Sequence, residues 1–161
     1  MHVQKCKLSP EKLAQEGLRI PVALNSPGLS PDERHEAITG YMVLSTAEEC
    51  TKVDHSAAVE LALPDSGTKL AVTTPRGSIE TRMFSVGIRF TEALDENERE
   101  CSTVMQVAAV CDLPGGCLGV FGRDFLSRAK LAYDGMAGEA SLAFPTADGH
   151  FIEMPLRPLK T

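Results

Sequence analysis

YMVLSTAEECTKVD, residues 41–54, decides how the chain is read. Four apolar residues, Tyr41 to Leu44, run into the small trio Ser45-Thr46-Ala47, and an apolar and polar mixture resumes through Cys50, Val53 and Asp54. The run reads as a strand that stops abruptly at small residues, and loops held at strand ends are where binding and catalytic groups collect. Asp54 is placed to cap a helix over HSAAVELAL, in which Ala57, Ala58, Leu61 and Ala62 recur at helical spacing. Leu63-Pro64 ends that helix.

Working outward, KLAVTT (69–74) and SIETRMFSVGIRF (78–90) read as the strands of a long hairpin turning over Pro75, Arg76 and Gly77. Asp65-Ser66-Gly67 reads as a turn, TEALDENERE (91–100) as an exposed charged connection, and CSTVMQVAAV (101–110) as a further strand. After the turn-rich CDLPGGC, a short strand from Leu118 to Phe121 meets Gly122, and a short helix runs from Arg123 to about Ala129. KLAYD and EASLAF pair as a hairpin across GMAG, and HFIEMPLRPLKT is an extended tail or edge segment. On the N-terminal side, Ser9-Pro10-Glu11-Lys12 starts a helix that ends at Gly17. LRIPVAL (18–24) is a strand that Pro21 confines to a sheet edge, and the turn-rich NSPGLSPDE (25–33) follows it. Many strands with two or three short helices predict a mainly β fold.

Composition narrows the function classes. The chain has 161 residues, 43% hydrophobic and 24% charged, which suits one compact domain with a real core. Tryptophan is absent and aromatics make up 5%, so aliphatic side chains must supply most of that core. A formal charge of −6, with Lys and Arg scattered singly, argues against nucleic acid and anionic membrane as partners. The first residues lack the apolar segment of a signal peptide, and no apolar run approaches the ~20 residues that span a bilayer, so a cytoplasmic location is expected. Five cysteines, at 6, 50, 101, 111 and 117, follow no disulfide framework and are expected to be reduced and mostly buried. Cys111 and Cys117 lack the spacing and the second ligand pair of a zinc site, so neither a metal nor a cofactor is expected.

An apolar strand ending in a three-residue signature, a helix closed by Leu63-Pro64, a hairpin, then Gly122-Arg123-Asp124-Phe125-Leu126 and Tyr133-Asp134-Gly135 resembles the retroviral-type aspartic peptidases. The likeness is nearest to their small bacterial members. It covers about Leu18 to Phe144, leaving extensions at 1–17 and 145–161 on a single domain. The fold it implies is a retropepsin-like acid-protease half-barrel with a flap hairpin, the flap being Thr73 and Thr74, Pro75, Arg76, Gly77 and Ser78. It also implies a homodimer in which each chain gives one aspartate to a shared active site.

The family signature is Asp-Thr-Gly, commonly followed by Ala, and this chain has Ser45-Thr46-Ala47-Glu48 in its place. Two carboxylates sharing a proton are what the family chemistry needs, one ionised to activate water and one protonated to polarise the scissile carbonyl. A serine hydroxyl does not ionise near neutral pH, and the histidines at 2, 35, 55 and 150 show no triad arrangement that would make it a nucleophile. No intact catalytic residue is therefore expected at Ser45, Thr46 and Ala47. The family uses the threonine to lock two signature loops across the dimer axis, and Thr46 keeps that position. Removing the aspartates also relieves a like-charge contact at the axis. The family arginine after apolar-apolar-Gly matches Arg123, following Gly122, and is expected to form a partly buried ion pair with Glu49 that braces the loop. Three readings follow: a catalytically inactive homodimeric pseudo-peptidase binding extended peptide, an active aspartic endopeptidase using another acid, and a purely structural dimerisation module.

Overall fold

Pro21 does not hold its strand at an edge. In the computed structural model, which describes residues 6–7, 18–27, 36–94, 100–111, 113, 116–134, 136, 139–145 and 151–154, strand β2 (Arg19–Asn25) is paired on both sides. Its antiparallel neighbour β3 (Ile38–Leu44) takes residues 19–24, with Pro21 opposite Tyr41. Its other neighbour, β6 (Gly77–Leu94), pairs from Val22 opposite Phe90 to Asn25 opposite Gly87. That second pairing begins one residue past Pro21, so the missing amide hydrogen falls where β2 has one neighbour rather than two.

The consequence is a ring. β3 runs parallel to β8 (Gly119–Phe121), β8 antiparallel to β4 (Lys52–Asp54), β4 parallel to β7 (Glu100–Val110), and β7 antiparallel to β6, which returns to β2. Six strands thus close into a barrel, not the expected half-barrel, because β2 uses both of its edges. β5 (Asp65–Thr74) lies outside the ring and pairs with β6 as the long hairpin, Thr74 opposite Gly77. The expected turn at Asp65 to Gly67 is instead the irregular start of β5. Its register shifts between Asp65 and Lys69, Gly67 has φ of 79°, and the Gly67 amide donates to Asp65 Oδ1 at 2.7 Å. The strand expected to end near Phe90 continues to Leu94, into the segment read as a loop, with Leu94 opposite Glu100.

A smaller sheet joins β10 (Glu139–Pro145) to β9 (Lys130–Asp134), β1 (Cys6–Lys7) and β11 (Phe151–Met154), all antiparallel. The hairpin of KLAYD with EASLAF and the strand at the start of the C-terminal segment are therefore present. The helix expected over 9–17 and most of the 25–33 turn lie outside the described residues.

Helix α1 (His55–Glu60) begins where the sequence predicts, with the Asp54 carboxylate accepting the Ala57 amide at 3.2 Å, and it buries Ala57 and Ala58. The barrel and the small sheet share one core. Phe90 of β6, Phe121 of β8 and Phe144 of β10 surround Phe125 from the short helix α2 (Arg123–Leu126), with ring centroids 4.2–6.0 Å apart. All but Phe144 are at most 1% exposed. Few aromatics are present, but four of the six phenylalanines are spent here. Phe125 thereby pins α2 to the barrel.

Candidate functional site

The loop 45–51 leaves β3 and enters β4, and its conformation is set by what lies beneath it. Ser45 donates its amide to the Phe121 carbonyl at 3.0 Å, extending the parallel β3 and β8 ladder by one bond. The loop then runs over the start of α2. The amides of Arg123 and Asp124 donate to the carbonyls of Glu48 and Glu49 at 2.8 and 3.2 Å. A helix's first amides lack partners within the helix, so these two loop carbonyls supply them.

Gly122 makes the close approach possible. A Cβ there would lie 2.6 Å from the Cys50 carbonyl carbon, 2.7 Å from its oxygen and 2.9 Å from the Glu48 oxygen. All three are backbone atoms that cannot swing aside, so only glycine fits. Gly122 also donates its amide to Thr51 Oγ1 at 3.2 Å.

Arg123 touches the loop differently from expectation. Its Nη1 donates to the carbonyls of Thr46 at 2.9 Å and Ala47 at 3.2 Å, while Glu49 is exposed and makes no ion pair among the described residues. The expected Glu49 and Arg123 pair is therefore replaced by a clamp on the main chain. The cause is the loop's path: with the Glu48 and Glu49 carbonyls turned toward α2, the carbonyls of Thr46 and Ala47 also come within reach of the guanidinium, whose forked donors suit two acceptors.

The strongest tie was not read from the sequence. Asp124 accepts the Thr51 amide at Oδ2, 3.0 Å, and the Thr51 hydroxyl at Oδ1, 2.7 Å. Thr51 is fully buried, and its two donors are met by one carboxylate 73 residues away. In the sequence Asp124 looks like an ordinary acid in the first turn of a helix, a position favoured by the dipole alone. Lys52 was missed too. It is 7% exposed, and its ammonium donates to Glu48 Oε2 at 2.5 Å. β4 is enclosed by β7 and β8, so its lysine is trapped under the loop and Glu48 is drawn in as its counter-charge.

The chemistry at the signature position is modest. Ser45 Oγ accepts the Ala47 amide at 3.3 Å, a local turn bond, and among the described residues no carboxylate or imidazole bonds to it. Thr46 and Ala47 are exposed. His55 is exposed at the start of α1, and the other histidines lie outside the described residues. Asp65, at the expected turn, pairs with Arg82 at 3.2 Å on the outer hairpin. Pro75 and Arg76 form the exposed turn of the β5 and β6 hairpin, flanked by Thr74 and by Gly77 with φ of 114° and Ser78.

Cys50 and Cys117 are buried free thiols and Cys111 an exposed one. Burial pushes the Cys50 thiol up, with Asp124, Glu48 and Glu49 adding to the effect and Lys52 opposing it. Burial likewise raises Cys117, against the lowering effect of backbone hydrogen bonds that include one to Gly119. Among the described residues no group of His, Cys, Asp and Glu has the disposition of a metal site, and no helix is long and apolar enough to cross a membrane. Comparison of the sequence with known family models and with characterised proteins gives no match.

Proposed function

We propose that the chain is a retropepsin-like pseudo-peptidase: a cytoplasmic homodimer that keeps the peptidase framework without its hydrolytic chemistry and binds an extended peptide by strand addition between hairpin and barrel. The observation that carries this reading is the contrast between an elaborately held loop and its inert tip. Gly122, Arg123, Asp124 and Thr51 fix the loop from below, while the tip offers Ser45, Thr46 and Ala47. Of the acids nearest in sequence, Glu48 is engaged with Lys52, which counts against it as a stand-in for the missing carboxylate. Two carboxylates, one from each chain, are the minimum for this chemistry, and Ser45 supplies none at the matching position, which favours the inactive reading over an active endopeptidase.

The test uses Ser45→Asp combined with Ala47→Gly. The unaltered chain is expected not to cleave an unstructured protein at acidic or neutral pH, and the double variant to gain cleavage that an aspartic peptidase inhibitor blocks. Inhibitor-sensitive cleavage by the unaltered chain overturns the inactive reading. A silent double variant that melts like the parent counts against a peptidase framework and favours the purely structural module.

A further inference from the structure

We draw no further inference here: the strongest candidate, the Arg19 guanidinium on β2, stacked 3.8 Å over the Tyr41 ring with its buried Nε unmet by any acceptor, is a single cation, and nothing in the structure shows what anion would cover it.

Discussion

Asp124→Ala removes the acceptor on which the loop depends most. Its carboxylate takes the Thr51 amide at 3.0 Å and the Thr51 hydroxyl at 2.7 Å, and also the Phe125 amide at 2.7 Å. Phe125 and Thr51 are both fully buried, so these donors are not free to turn to water, and the two on Thr51 alone set the minimum loss. Leaving a buried donor unmet costs about 1–3 kcal/mol, and two such donors give an expected loss of about 3 kcal/mol. For a domain of this size that is a fall in Tm of roughly 6–12 °C. Asp124→Asn keeps one acceptor oxygen but turns an amide donor toward one Thr51 donor, and should lose about half as much. Thr51→Val removes the hydroxyl at nearly constant shape, costing about 1–2 kcal/mol because the Gly122 amide then loses its acceptor. If the two residues act as one tie, the double variant falls short of the sum by about 1 kcal/mol or more. Urea denaturation followed by circular dichroism measures all four proteins. A loss below about 1 kcal/mol for Asp124→Ala, or additivity within about 0.5 kcal/mol, would refute the reasoning.

Three further outcomes are expected. Gly122→Ala drives a methyl against Cys50 and Glu48 backbone atoms at 2.6–2.9 Å and should cost about 3 kcal/mol or more, whereas a cost under 1 kcal/mol would show that the loop floats free of α2. Glu48→Ala strips the buried Lys52 of its counter-charge and should cost about 1–2 kcal/mol, discounted because Glu48 is 39% exposed, while pairing it with Lys52→Met should recover most of that loss in the same urea assay. Burial holds the Cys50 and Cys117 thiols above their usual 9.0, so the unfolded chain ionises first as pH rises. Their stabilising contribution is complete below about pH 9 and is lost as pH climbs through the higher folded values. Cys50→Ala with Cys117→Ala should accordingly flatten the decline of Tm above pH 9, an unchanged slope being the contrary result.

The local elements were legible because their causes are local. Asp54 caps α1 through a residue three positions on, and the β5 and β6 hairpin turns where Pro75, Arg76 and Gly77 demand. Pro21 misled because a proline's cost depends on which side of the strand is occupied at that residue, and the second neighbour of β2 begins one residue later. The Leu94 end of β6 is a strand despite its charged surroundings because it has a partner in Glu100 of β7, which local composition does not reveal.

At the candidate site, the sequence by itself determined which groups are available: no aspartate at 45, no glycine at 47, and a Gly-Arg-Asp run at 122–124. Tertiary structure alone decided what those groups do. It set Asp124 on Thr51 rather than on its own helix alone, turned Arg123 to the carbonyls of Thr46 and Ala47 rather than to Glu49, and buried Lys52 against Glu48. A side chain's covalent chemistry is written in its own residue. Its hydrogen-bond partner is whichever donor or acceptor remains unmet nearby once the barrel has closed, and closure is a property of strands far apart in the chain.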